Sequence, residues 1–140
     1  MRVGSLAAAR PAYYDRNATT MVQSSTVLDT PNTGTTRWTT TVASGKKLLI
    51  ESGLASFWRE TAATTAGQVT SVIRVTSGGV DCDIALIKAL NNTVSSYYSD
   101  KVNTPTTLYV GETLSGISRD NSTGGSMWFE INVKGTTYDA

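Results

Sequence analysis

The sequence holds few side chains capable of acid–base chemistry, and it has no histidine. Histidine is the commonest general base, the usual activator of serine and cysteine nucleophiles and the commonest metal ligand. Paired carboxylates remain as a route to glycoside hydrolysis, and the candidates are Glu51, Glu60, Glu112 and Glu130. Their spacing singles out no pair. Glu51 and Glu130 fall in predicted strands, where an outward-facing charge is the ordinary explanation.

Two short motifs resemble catalytic or phosphate-binding signatures. Ser44 and Lys47 have the Ser-x-x-Lys spacing of acyl enzymes, but the companion motifs of those enzymes are missing. Gly45-Lys46 lacks the upstream glycine and the following hydroxyl residue of a phosphate-binding loop. Both motifs are interpreted as turn residues, and we predict that the chain is not an enzyme.

Acidic residues suggest metal binding at two places. The segment Asp120–Gly125 resembles the start of a calcium loop, yet Ile131 stands where the closing glutamate should be. We therefore predict a polar hairpin loop there. Asp81 and Asp83 share one face of a predicted strand and are interpreted as solvated or intersubunit charges. We predict no metal and no cofactor.

The aromatic residues leave two interpretations open. Trp38, Trp58 and Trp128 each fall within a predicted strand, where packing in a core or an interface is the default role. An exposed platform of tryptophan and tyrosine would instead hold a sugar ring, and Tyr97-Tyr98 would suit such a platform. The sequence does not decide which way these side chains point.

Charge and hydropathy exclude some classes of partner. Lys and Arg number 12 against 11 Asp and Glu, a net charge of +1, whereas nucleic-acid-binding domains are usually strongly basic on one face. No apolar run approaches the length that spans a bilayer. The apolar stretch Val3–Ala9 is too short for a secretory signal. We expect a soluble protein made in the cytoplasm, with neither nucleic acid nor membrane as a partner.

The single cysteine, Cys82, is interpreted as a packing residue. Cys82 is the only cysteine, so no intramolecular disulfide can form. Val80, Cys82, Ile84 and Leu86 alternate along the predicted strand, which favours Cys82 as a small buried apolar residue.

Composition and periodicity both predict β structure. Ser and Thr make up roughly a quarter of the chain, which suits strands and turns. Apolar residues recur with period 2 between turn clusters and predict eight or nine strands, with a bulge or bend near Gly53 and a turn over Asp29–Gly34. The predicted strands are 20–28, 36–42, 46–62, 68–76, 80–90, 93–98, 106–110, 113–118 and 126–134. Residues 80–90 also fit a short helix, but their β-rich surroundings favour a strand.

Two glycine corners predict how these strands are arranged. Val42 to Leu48 and Val110 to Leu114 each run from a β-branched strand end through a glycine, Gly45 or Gly111, into a new strand. Two such corners suit a double-sheet topology whose strands cross from one sheet to the other. The predicted fold is all-β: a two-sheet antiparallel β-sandwich, jelly-roll-like, over residues 20–140.

Residues 1–19 are predicted to form an extended N-terminal arm. They show neither strand alternation nor a helical stripe, and they combine Arg2, Arg10 and Arg16 with Tyr13 and Tyr14. Tyr and Arg are enriched where proteins contact other proteins. A loose terminal leader is the alternative.

The order of three segments resembles small structural proteins of tailed-phage virions, in particular the jelly-roll decoration, or cement, proteins of capsids. The segments are Arg10–Asn17, Arg37–Lys47 and Arg59–Gly67. The resemblance implies a homotrimer on the outer capsid surface that stabilises the head, with the major capsid protein as partner. It also implies that the arm binds neighbouring capsid subunits. The arm residues concerned are Arg10, Pro11, Tyr13, Tyr14, Asp15, Arg16 and Asn17.

Two other classes remain open. A receptor-binding fibre module of a tail or head would use exposed aromatics and loops such as Asp120–Gly125 to contact cell-surface glycans. A carbohydrate-active enzyme would use a carboxylate pair.

Overall fold

The computed structural model describes residues 18–90, 94 and 96–140, and this part of the chain folds into nine strands. The strands are β1 (Thr19–Asp29), β2 (Asn32–Thr41), β3 (Lys46–Thr61), β4 (Gln68–Ser77), β5 (Val80–Leu90), β6 (Tyr97–Lys101), β7 (Thr106–Leu108), β8 (Thr113–Asp120) and β9 (Ser126–Asp139). Among the described residues there is no helix long and apolar enough to cross a membrane.

The strands form two antiparallel sheets. The larger sheet has the order β1-β9-β3-β6, with β7 also paired to β3, and the smaller sheet has the order β2-β8-β4-β5. Most successive strands lie in opposite sheets, so the connections cross between the two layers. The predicted all-β, two-sheet, jelly-roll-like sandwich is confirmed.

Both predicted glycine corners carry the chain from one sheet to the other. Gly45, with φ 75°, joins β2 to β3, and Gly111, with φ 82°, joins β7 to β8. The corners are hydrogen-bonded to each other: the Val42 amide donates to the Glu112 carbonyl at 3.0 Å, and the Gly111 amide donates to the Val42 carbonyl at 3.0 Å. The two similar motifs therefore meet at one end of the sandwich.

The core lies between the sheets, and a side-chain hydrogen bond crosses it from one sheet to the other. Trp38 of β2 is 8% exposed, and its indole Nε1 donates to the Ile131 carbonyl of β9 at 2.9 Å. Gly116 of β8 makes room for this indole, because a Cβ there would lie 2.5 Å from Trp38 Cε2. The cluster around Trp38 includes Leu48, Ile50, Ala55, Ile73, Leu108, Leu114 and Val133. A second cluster contains Phe57, Val69, Met127 and Phe129.

The turn predicted over Asp29–Gly34 is longer than the turn that the structure shows. β2 begins at Asn32, so the break between strands is confined to Thr30 and Pro31. The Asp29 carboxylate accepts hydrogen bonds from the Thr30 amide and the Asn32 side chain, each at 2.9 Å. These bonds close the turn within two residues. Gly34 is accommodated inside β2, where the pairing with β8 shifts register.

Cys82 is exposed, which corrects the prediction that it is buried. In the pairing of β5 with β4, Ala85 faces Ile73 and Asp83 faces Arg74, so Ile84 is an extra residue in a bulge. A bulge reverses which alternate residues face the core. The bulge therefore puts Leu86, which is 36% exposed, on the outer face, whereas Cys82 pairs with Val75 on the inner side and is exposed near the end of β5, the edge strand of the smaller sheet.

Candidate binding face on the larger sheet

The outer face of the larger sheet carries a continuous row of large side chains. Leu28 of β1 pairs with Trp128 of β9, Trp128 pairs with Trp58 of β3, and Trp58 pairs with Tyr97 of β6. We call these four residues the aromatic row. Leu28 is 46% and Tyr97 is 55% exposed, and both tryptophans are partly exposed. The row therefore crosses four neighbouring strands at a single level.

The rings of the row contact one another. The ring centroids of Trp58 and Trp128 are 6.0 Å apart with an interplanar angle of 18°, and those of Trp58 and Tyr97 are 5.9 Å apart at 39°. The Trp128 Nε1 donates to Glu60 Oε2 at 3.1 Å, which fixes the orientation of that indole. The row is thus an ordered apolar surface with a polar anchor at its side.

Strand alternation places the row on the outside. Phe57 and Phe129, each next to a tryptophan in sequence, are paired on the inner face and are fully buried. Tyr98, next to Tyr97, stacks on Phe57 with centroids 5.3 Å apart. Only Tyr97 of the Tyr97-Tyr98 pair belongs to the candidate platform, because successive side chains of a strand point to opposite faces.

Acidic and amide side chains flank the row. Glu60 of β3 lies on one side of the row and Glu130 of β9 lies on the other. Glu130 is paired with Ser56, four residues before Glu60, so the two glutamates are ~13 Å apart along the strands. Asn132 donates to Glu130 at 3.0 Å, and Ser24 donates to Asn132 at 2.7 Å. The face therefore offers ordered hydrogen-bonding groups on both sides of an apolar strip.

A shallow depression of about 460 Å³ opens on the same outer face. Its lining includes Val22, Ser24, Ser52, Leu54, Lys101 and Lys134. The depression forms because small side chains, among them Ser24 and Ser52, line it between larger ones. We call this feature the dilysine depression.

The other two carboxylates considered in the sequence, Glu51 and Glu112, are not part of the aromatic row. Glu51 accepts from the Thr136 hydroxyl at 3.2 Å. Glu112 lies at the glycine corners and accepts from the Tyr109 amide at 2.6 Å. This backbone hydrogen bond, with a smaller contribution from Ser77, lowers the pKa of Glu112 below its ordinary value.

Asp81 and Asp83 bind an arginine. Arg74 of β4 contacts Asp83 at 2.6 Å and Asp81 at 3.5 Å. The hydrogen bond to Asp83 raises the pKa of Arg74, burial opposes that rise, and the charges of both carboxylates add to it. Arg74 therefore offsets part of the negative charge of the two acids, on the outer face of the smaller sheet.

Asp120–Gly125 connects β8 of the smaller sheet to β9 of the larger one, so it is not a hairpin as predicted. Asp120 is buried and forms an ion pair with the equally buried Arg59 at 3.5 Å. Its Oδ1 also accepts from the Ser122 amide at 3.0 Å. Asp120 thus anchors the loop, and within the described residues no group of three or more His, Cys, Asp or Glu side chains is arranged to hold a metal ion.

The predicted arm residues, Arg10 through Asn17, lie outside the described residues. β1 begins at Thr19, which is paired with Thr137 of β9. The chain therefore enters the larger sheet at the end nearer the dilysine depression than the aromatic row.

The sequence predicts only part of the aromatic row. The three tryptophans were singled out, and the structure divides them into one core residue, Trp38, and two outer residues, Trp58 and Trp128. Leu28, Lys101 and Lys134 were missed. Period-2 alternation alone marks them as outward-facing, but the register that joins them depends on long-range pairing.

Comparison with known proteins gives likeness of structure only. No family model matches the chain, and no curated protein matches it. Solved structures do match. The chain is similar to one described as the structure of infectious bursal disease virus Gt strain, with a TM-score of 0.48 and 11% identity over 89% of this chain and 34% of that one.

Two further matches are weaker. The infectious bursal disease virus Gx strain structure gives a TM-score of 0.44 and 10% identity over 90% of this chain and 33% of that chain. The structure of Eiger TNF from S. frugiperda gives a TM-score of 0.36 and 9% identity over 71% and 61%. The chain spans about a third of the two virus chains. At such low identity, the chain's function has to be derived from its own residues.

Proposed function

We propose that this chain is a structural protein of a virus particle, a capsid decoration or cement protein that binds the major capsid protein on the outer surface of the head. The aromatic row is the observation that carries the proposal. Trp and Tyr are the residue types enriched at the energetic centres of protein interfaces, and an exposed contiguous apolar patch marks an interaction site. The sequence resemblance to decoration proteins supports the capsid as the partner.

The mechanism is addition of buried surface between capsid subunits. A shell under internal pressure fails when its subunits separate, and a protein that bridges several subunits adds apolar area that separation must re-expose. A homotrimer multiplies this effect, because three linked sites dissociate together only rarely. The sandwich supplies a rigid support, since the row lies on paired strands and not on loops.

A matched pair of tyrosine variants tests the proposal. Tyr97 in the row is 55% exposed, and Tyr109 at the glycine corner is 60% exposed. We expect Tyr97→Ala to weaken binding to purified capsid shells by about 2 kcal/mol, roughly 30-fold in Kd, as at an interface hot spot. We expect Tyr109→Ala to leave binding unchanged. Co-sedimentation with shells measures both, and equal binding by the two variants would contradict the proposal.

The N-terminal arm is proposed as a second contact with the capsid, with Tyr13 and Tyr14 as anchors and Arg10, Asp15 and Arg16 fixing register. All described strands begin after residue 18, so deleting residues 1–17 removes none of their pairing. We expect this deletion to abolish shell binding and to leave a folded trimer by sedimentation. Undiminished binding would exclude the arm as a contact.

Glycan binding by a fibre module is the second candidate, and the polar groups flanking the row favour it. Sugar rings stack on aromatic faces while carboxylates and amides accept or donate hydrogen bonds, and Glu60, Glu130 and Asn132 are placed beside the row. Asp120 takes no part in such contacts, since it is 1% exposed. Glycan-array binding by the isolated protein that is lost in Trp128→Ala would favour this function over capsid binding.

A further inference from the structure

The dilysine depression carries two positive charges that no acidic side chain of the described residues pairs with. Lys101 of β6 and Lys134 of β9 are both exposed and lie on either side of β3, whose Leu54 is paired with Lys101. Among the residues that the structure describes, neither lysine has an ion-pair partner. Two strand spacings, ~10 Å, separate their strands. Their side chains can therefore approach a single group placed over the depression.

The carboxylates of this outer face bond to other residues. Glu130 accepts from Asn132, Glu51 accepts from Thr136, and Glu60 accepts from Trp128. Glu130 reaches the edge of the depression through Asn132, which is one of its lining residues, but among the described residues none of these carboxylates forms an ion pair with Lys101 or Lys134. Between the strands of the two lysines lie Ser52 and Leu54 of β3, and Val22 lies on β1 beyond Lys134, where it is 62% exposed.

We infer that the dilysine depression binds an acidic residue next to an apolar one, presented by an extended segment of the protein that docks on the aromatic row. This inference rests on the proposed function and specifies the chemistry of the partner. The carboxylate lies between Lys101 and Lys134, and the apolar side chain covers Val22 and Leu54. Apolar contact and opposite charge are both required for the site to be filled.

The spacing of the two features predicts the pattern of the partner segment. Along β9, Trp128 of the row is separated from Asn132 by four residues and from Lys134 by six, or ~13 to ~20 Å at strand geometry. An extended segment lying along β9 therefore places an apolar residue on the row and an acidic residue four to six positions away at the depression.

Charge favours a partner protein over this chain's own N-terminal segment. Residues 1–17 contain three arginines, Arg2, Arg10 and Arg16, against one acid, Asp15. A segment of that charge is repelled by two lysines. A phosphate group is also disfavoured, because the described lining of the depression contains the apolar side chains of Val22 and Leu54 and no arginine, whose forked guanidinium is the geometry suited to phosphate.

The binding test uses short blocked peptides and nuclear magnetic resonance of the isotope-labelled full chain. One peptide has a glutamate on each side of a leucine, and its control has glutamines at those positions. We expect the glutamate peptide to shift the amide signals of Ser24, Leu54 and Lys101 and the glutamine peptide to shift them much less. We expect Lys101→Gln and Lys134→Gln each to weaken the interaction about two- to fivefold, the range of an exposed ion pair.

The matched control is Lys88→Gln, an exposed lysine on the outer face of the smaller sheet. It should bind the glutamate peptide as the wild type does. Equal binding of both peptides would overturn the inference. So would inorganic phosphate shifting the same signals as strongly as the glutamate peptide. So would a change in these signals on deletion of residues 1–17 without peptide, since that would place the chain's own segment there.

Shell binding separates this inference from the proposed function. If Tyr97→Ala weakens co-sedimentation with capsid shells and the two lysine variants do not, the function stands and the inference fails. If the wild-type protein does not co-sediment with shells, the proposed function fails. The peptide titration then still decides whether the depression binds a carboxylate. We expect Tyr97→Ala, Lys101→Gln and Lys134→Gln all to weaken shell binding.

Discussion

Trp58 and Trp128 face each other across two neighbouring strands with their ring planes 18° from parallel and their centroids 6.0 Å apart. Each is the outward neighbour of a buried phenylalanine, Phe57 or Phe129. One pair of strands therefore contributes paired aromatics to both of its faces. The inner pair packs in the core, while the outer pair stacks ring against ring and is partly exposed, so a partner can contact it.

Coupling between the two indoles is the first prediction. We expect a double-mutant cycle of Trp58→Ala and Trp128→Ala to give about 0.5–1.5 kcal/mol of interaction free energy in urea unfolding, as measured for aromatic pairs. Glu60→Gln serves as a control, because it retains an oxygen acceptor for the Trp128 indole. A coupling energy near zero would mean that the stacked geometry is not populated in solution.

Gly116 is predicted to be intolerant of any side chain. A Cβ there would lie 2.5 Å from Trp38 Cε2, and displacing the indole would strain its hydrogen bond to the Ile131 carbonyl. We expect Gly116→Ala to lower the free energy of unfolding by about 1–3 kcal/mol, as in overpacked cores. Ser115→Ala on the opposite face of the same strand is the control, and we expect a change within about 0.5 kcal/mol.

The buried pair Arg59–Asp120 is predicted to matter most when only one partner is removed. Arg59→Met leaves a carboxylate with 0% side-chain exposure facing no cation at that position, at an expected cost of about 3–5 kcal/mol. Arg119→Met removes an exposed arginine next to Asp120 on β8 and should cost little. Urea unfolding measures both. Similar losses for the two variants would contradict a special role for the buried charge.

Glu112 is predicted to make stability depend on pH in the acid range. Its folded-state pKa is lowered, chiefly by the hydrogen bond from the Tyr109 amide, so its contribution is present above the ordinary pKa of about 4.5 and is lost as pH falls through the folded pKa. We expect Glu112→Gln to lower the urea midpoint at pH 7. The difference from wild type should shrink below about pH 4. A constant difference across this range would exclude the linkage.

Much of the local structure followed from residue pattern. Alternation located β5 and most of β9, and the two glycine corners at Gly45 and Gly111 indicated the crossing between sheets, because these features depend on nearest neighbours along the chain. The shared buried face predicted for Cys82 and Leu86 was wrong because the bulge at Ile84 changes the phase of alternation, and a bulge is set by pairing with a second strand. Cys82 itself is exposed near the end of an edge strand, and only the order of strands in the sheet identifies that edge. The hairpin predicted at Asp120–Gly125 was wrong for a related reason: sequence does not state which sheet each strand joins.

The sequence by itself determined the β class, the two glycine corners and the candidate aromatic residues, since side-chain volume, period and backbone freedom are local properties. Only the tertiary structure decided that Trp38 is in the core while Trp58 and Trp128 join Leu28 and Tyr97 in one outer row. The physical reason is register. Residues 28, 58, 97 and 128 become neighbours through hydrogen bonds between distant strands, and no short-range pattern specifies that alignment.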